Sequence, residues 1–197
     1  MLSTKNLPFF KFFRQRLIAK KVRSGIVPEG VSTDEIWEAL KATRPIAAVE
    51  VFGFLYAKVF NKDGTLRKDM GLVGVKEVTT AFAEHLVDVM CSSGENLNEY
   101  TFHRMGSGST AETDTETALV TSECTCLSGA GTHGATSNIY QCVCTLTATT
   151  TFGCREHALF DTVTSGHMLD RSLVTNIALE TDDEVEWTYA LTVNAGG

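Results

Sequence analysis

"EVEWTYALTV", residues 184–193, alternates large apolar with small polar side chains almost without a break. Successive side chains of an extended chain point to opposite faces. Trp187, Tyr189, Leu191 and Val193 therefore share one face, and Thr188, Ala190 and Thr192 the other. This is the pattern of a strand with one face buried and one face wet or at an interface. The same texture extends upstream. "EYTFHRM" (99–105) reads as a short strand and "SNIYQCVCTLTATTTF" (137–152) as a long one, with "TDDE" (181–184) as the turn between "LVTNIALE" and the final strand. Strands with no long helices between them predict an antiparallel arrangement.

Before about residue 95 the composition differs. In "VSTDEIWEALKATRP" (31–45) Ser32 and Glu35 have capping-box spacing, and Ile36, Trp37 and Leu40 supply an apolar face, so a short helix is expected that stops before Pro45. "AAVEVFGFLYAKVFNKDGTL" (47–66) reads as a strand turning at Asn61–Gly64. "TTAFAEHLVDVM" (79–90) has helical periodicity through Phe82, Leu86 and Val89, with His85 beside that face. The expected fold is mainly β: an antiparallel β-sandwich, jelly-roll or immunoglobulin-like, with one or two short helices and an extended basic N-terminal arm. The expected organisation is an aromatic basic arm over 1–30, a helix–strand–helix segment over 31–94, and a sandwich body over 95–197, with 31–197 forming one compact unit.

Charge is distributed unevenly. The first 23 residues carry seven Lys/Arg and no acid, while the rest of the chain has ten basic and 24 acidic residues. A basic arm on an acidic body suits a partner surface, and it equally suits a helix packed on its own body, since Phe9, Phe13, Leu17 and Lys21 recur every fourth residue. The partner-binding candidates are Phe9, Phe10, Phe12, Phe13, Arg14, Arg16, Lys20, Lys21 and Arg23. Lys11, Arg14 and Arg16 interrupt the apolar run, so the arm is not expected to be a signal peptide. No apolar stretch has the length of a membrane-spanning helix.

Candidate chemistry is sparse. "HRMGSGSTAETDTETALV" (103–120) has the glycines of a phosphate loop but no Lys, and Glu112, Asp114 and Glu116 would repel a phosphate. A tight bend at Gly106 and Gly108 is expected instead, followed by a helical turn over Thr115–Val120 capped by Thr113 or Asp114. The cysteines at 124, 126, 142 and 144 form C-x-C pairs rather than zinc knuckles. Cys142 and Cys144 should act as small apolar groups beside Tyr140 and Leu146, although a disulfide across a hairpin to Cys124 or Cys126 also fits. Cys154 and His157 would oppose one another on a strand, which disfavours a nucleophile pair. The five histidines, at 85, 103, 133, 157 and 167, show no metal-ligand spacing. No catalytic residue, metal or cofactor is expected.

A longer pattern runs across residues 76–197. A strand ending at His103 leads into a Gly-rich "GSGSTAE" loop and "DTETAL", followed downstream by "EHALF", "LDR" and a closing turn before "TYALTV". This resembles the small structural proteins of tailed bacteriophages. His103, Gly106, Gly108, Thr115, Ala118, Leu119, Glu156, His157, Phe160, Leu169, Asp170 and Arg171 stand at the signature positions. "GSGST" replaces the usual "GTGT", and Ala158 stands where glycine is common. The resemblance implies a virion component assembled in the bacterial host cytoplasm as repeated copies, with no active site. The resemblance does not fix the place in the particle; the role expected first is a capsid cement or decoration protein that binds the major capsid protein, through the N-terminal arm and the β body, and copies of itself. The alternative is a head–tail connector, neck or tail protein, and a carbohydrate- or nucleotide-acting enzyme is less favoured. Protein is preferred over nucleic acid as the partner of the arm, and no membrane is implied.

Overall fold

A computed structural model of the protein describes residues 8–23, 29–42, 50–91, 97–164 and 166–194. Its helices are α1 (Pro8–Arg23), α2 (Thr33–Lys41) and α3 (Thr80–Cys91), and a 3-10 turn covers Leu97–Glu99. The strands are β1 (Glu50–Phe60), β2 (Leu66–Glu77), β3 (Phe102–Gly106), β4 (Leu127–Ser128), β5 (Ala130–His133), β6 (Ile139–Thr147), β7 (Phe152–Phe160), β8 (Met168–Leu179) and β9 (Glu184–Asn194). They form two sheets, in the orders β2-β1-β9-β6-β5 and β4-β3-β7-β8, and the pairings are antiparallel. The molecule is the expected β-sandwich.

The alternation in β9 produces this arrangement. Val185, Trp187, Tyr189 and Leu191 are buried between the sheets with Leu55, Ala57 and Val59 of β1 and Cys142, Cys144 and Leu146 nearby. From the second sheet Met105, Cys154, Leu159, Leu169 and Ile177 meet them. Burying each such side chain contributes about 1.5–3 kcal/mol. Val193, expected on this face, is 42 % exposed at the end of the strand.

The opposite face of β9 is not wet. Ala190 packs, with Phe52, Phe54 and Val75, under α1 and α2. Thr188, Ala190 and Thr192 are small, and this leaves room for the helical layer. From α2 the layer takes Ile36, Ala39 and Leu40, all fully buried, and Trp37 lies edge-on to Phe52 with ring centroids 5.0 Å apart. The capping box forms as its spacing required: Glu35 N donates to Ser32 Oγ at 3.2 Å and Ser32 N to Glu35 Oε2 at 3.2 Å.

Several expectations are corrected. The N-terminal arm is not extended: residues 8–23 are helical, as Pro8 at the first turn and a following run without glycine permit. Its inward residues are Ile18, Ala19 and Val22, whereas Leu17, on the expected every-fourth stripe, is 51 % exposed. Among the described residues there are three α-helices rather than one or two. β2, a strand the sequence did not announce, pairs with β1 through several register shifts and passes through Gly71 at φ +61°. "SNIYQCVCTLTATTTF" is two strands, parted at residues 148–151. The segment Thr115–Val120 is not helical. α2 ends at Lys41 with Ala42 as its C-cap, short of Pro45 as expected, and the arm boundary at Pro28 lies outside the described residues.

The hairpin turn at Asn61–Gly64 is as read. Gly64 adopts φ +79°, and Asp63 Oδ1 accepts from Thr65 N at 2.9 Å. Among the described residues no helix is long and apolar enough to cross a membrane.

Candidate functional site

Gly106, Gly108, Leu119, Glu156, Phe160 and Arg171 of the signature meet at the outer face of the second sheet, whereas His103, His157, Leu169 and Asp170 face the interior. On β7 and β8 the outward positions are Glu156, Ala158 and Phe160, and Met168, Arg171 and Leu173 beside them. The chain after β3, residues 107–123, folds over this face and is fastened by Glu156, which is fully buried. Glu156 Oε1 accepts from Gly108 N at 2.9 Å and Thr121 N at 2.8 Å; Oε2 accepts from Val120 N at 3.1 Å and Arg171 Nε at 2.6 Å. Arg171 Nη1 donates to Glu116 Oε1 at 2.6 Å, and its two Nη groups reach the Thr110 carbonyl at 3.3 and 3.2 Å. Leu119 and Phe102 close an apolar pocket over Ala158, Phe160 and Met168.

The glycines serve close approach rather than a turn. A Cβ on Gly106 would overlap the Thr121 carbonyl oxygen, and one on Gly108 would overlap Glu156 Oε1. Neither has the positive φ of Gly64. Two of the three acids that disfavoured a phosphate are held by cations of the body: Glu116 by Arg171, and Glu112 by Lys76 of β2, while Glu112 also accepts from Leu173 N of β8. Lys76 and Leu173 belong to different sheets, so this loop bridges the sandwich. Burial depresses the pKa of the Lys76 ammonium.

Behind this loop a polar seam crosses the core. His103 Nδ1 and His157 Nε2 share a hydrogen bond of 2.9 Å, and the His157 ring lies 4.7 Å from that of Trp187. Burial holds His103 down to about 3, and burial together with the neighbouring His103 ring keeps His157 far below its usual value. Asp170 Oδ2 accepts from Tyr189 Oη at 2.9 Å and Oδ1 from Ser172 Oγ at 3.1 Å. Burial, working against these bonds, lifts Asp170 to about 6. Gly53 of β1 faces this pair, where a Cβ would collide with the Tyr189 hydroxyl.

No family model matches the chain, and comparison with curated proteins and solved structures finds no match. Cys154 and His157 form no nucleophile pair: the thiol donates to the Glu156 carbonyl at 3.7 Å, burial pushes it up to about 12, and His157 is engaged with His103. The cysteines of the C-x-C pairs are free thiols; Cys142 and Cys144 are buried beside Leu146 as read. The groove beside β6, lined by Thr132, His133, Asn138 and Tyr140, contains neither thiol nor carboxylate.

The basic arm lies against its own body. Arg14 Nη1 pairs with Glu35 Oε1 of α2 at 2.9 Å, a solvent-exposed bond that contributes about 0–1 kcal/mol. Arg16, Lys20 and Lys21 are exposed on α1. The side chains of Phe9, Phe10, Phe12, Phe13 and Arg23 lie outside the described residues.

One grouping had no sequence signal. His85 of α3 meets Asp161 and His167, which flank the β7–β8 turn, with ligand atoms of all three within 4.8 Å of one another. These histidines are far apart in sequence, so only the packing of α3 on β8 brings them together. Thr79 fixes that packing: its hydroxyl accepts from Phe82 N at 3.1 Å, as an N-cap does, and donates to the Met168 carbonyl at 2.5 Å.

Proposed function

We propose that the protein is a structural component of a tailed-phage particle, a cement or decoration protein that lies on the capsid shell and contacts the major capsid protein and copies of itself. The observation supporting this reading is where the signature residues go. Gly106, Gly108, Glu156, Asp170 and Arg171 all form bonds inside the body. A pattern of this kind prescribes a scaffold rather than a reaction centre, and leaves function to the surfaces. One such surface is the outward side of α1, where Arg14, Arg16, Lys20 and Lys21 sit on an otherwise acidic chain. Arg is enriched in interface cores, and repetition over a lattice multiplies a weak contact.

The test is the protein's copy number in purified particles of a phage that encodes it, measured against the shell subunit by quantitative mass spectrometry. Copies comparable in number to the shell subunit support a cement protein. A few copies per particle move the protein to the neck or tail, and its absence from particles overturns the reading. Removing α1 would uncover Phe52 and Phe54, so the surface is better tested by reversing the charge of Lys20, which is exposed. Shell binding should then weaken at unchanged thermal stability. Equal binding would exclude α1 as the contact. Duplex DNA binding that falls steeply with salt would instead assign α1 to nucleic acid.

A further inference from the structure

We infer that His85, Asp161 and His167 form a binding site for a divalent transition metal, with Zn²⁺ as the ion that suits it. The inference is independent of the proposed virion role.

Three observations carry it. The ligand atoms of the three residues lie within 4.8 Å of one another, and His167 Nδ1 is 2.8 Å from Asp161 Oδ2. Zn²⁺ sits about 2.0–2.1 Å from imidazole nitrogen and carboxylate oxygen, so small side-chain rotations bring all three onto one ion. His85 is 5 % exposed and Asp161 7 % exposed, yet His85 Nε2 and Asp161 Oδ1 have no hydrogen-bond partner. Buried polar atoms are normally satisfied, and leaving such an atom unsatisfied costs stability. Two orphaned atoms on two neighbouring ligand residues would be satisfied together by one cation.

The surroundings fix the cluster in place. The His85 ring stands edge-on to Tyr100 with centroids 5.7 Å apart, and 4.7 Å from the His167 ring. Gly166 admits the Asp161 carboxylate, since a Cβ there would overlap Asp161 Oδ1. The His167 side chain is 55 % exposed, which gives the ion a route in and leaves a coordination position open to water. Two imidazoles and one carboxylate suit Zn²⁺ better than the all-oxygen shells of Ca²⁺ or Mg²⁺. A bound ion would tie α3 to the β7–β8 turn, a cross-link between the helix and the second sheet.

The full chain, stripped with a chelator, is titrated with Zn²⁺ by calorimetry, and its thermal unfolding is followed with and without the ion. One equivalent should bind and raise the unfolding midpoint. His85→Gln and Asp161→Asn should each weaken binding about tenfold or more, while Cys91→Ser, which removes the exposed thiol of α3, leaves it unchanged. Absence of stoichiometric binding overturns the proposal, as does binding that survives loss of His85 and Asp161 or that depends on Cys91. Should the ligand variants not fold, Co²⁺ in the unaltered chain decides. Tetrahedral visible bands without a thiolate charge-transfer band support the site; a thiolate band, or only the weak spectrum of an octahedral ion, sinks it.

Discussion

Glu156, fully buried, uses both carboxylate oxygens to hold three backbone amides and the Arg171 guanidinium. Such a pair need not add much against an apolar alternative, but removing one partner leaves the other charge buried and unmatched, at about 3–5 kcal/mol. Glu156→Gln should therefore destabilise the protein by about 3 kcal/mol or more in urea unfolding and expose residues 109–118 to limited proteolysis. A variant within about 0.5 kcal/mol of the parent, with an uncut loop, would show that the latch is dispensable. The sequence displayed the members of this latch, because "GSGST", "EH" and "LDR" are visible as a pattern, but not its connectivity. Asp170 and Arg171, adjacent in the chain, point to opposite faces of β8, Arg171 to the loop and Asp170 to Tyr189.

At the scale of elements, regular periodicity was legible and irregularity was not. β9, the Asn61–Gly64 turn and the Ser32 capping box follow directly from residue order. β2 did not, because its first half is charged and solvent-exposed at a sheet edge, and its register shifts break the alternation. The break at residues 148–151 lies in a run of threonines, residues that favour strands and so conceal a turn. The helical layer over the first sheet was half visible: α2 announced its cap and apolar face, while α1 buries Ile18, Ala19 and Val22 and leaves Leu17, of the more conspicuous stripe, exposed. Local capping still contributes to this layer. Ser32→Ala should cost about 1 kcal/mol, with the loss confined to α2 and the α1 packed on it. Hydrogen exchange resolves this, and faster exchange spread evenly over β1 and β9 would contradict it.

At the scale of the whole molecule, the buried seam makes stability depend on pH in two opposed ways. His103, held down to about 3, and His157, also depressed, stay neutral in the fold but take up protons in the unfolded chain below about 6.5. The stability they confer is complete above that value and is lost as pH falls. Asp170, raised to about 6, binds its proton more readily folded than unfolded, so its contribution is present at low pH and is lost as pH rises through about 6. Two imidazoles outweigh one carboxyl, so the urea midpoint should fall between pH 7 and pH 4. Asp170→Asn, which removes the opposing group, should steepen that fall. An unchanged profile would mean that Asp170 titrates normally, and a shallower one that the fold lowers its pKa instead.

The flap over Phe102, Phe160 and Met168 is attached to the second sheet chiefly through charge and backbone amides, while the sheets beneath are joined by apolar packing. The two attachments fail under different insults. Conditions that weaken the flap without reaching the interior uncover a greasy strip on a framework that is still intact. Such a chain clumps while its strands remain in register, so cloudiness, rather than lost secondary structure, is the first sign of damage.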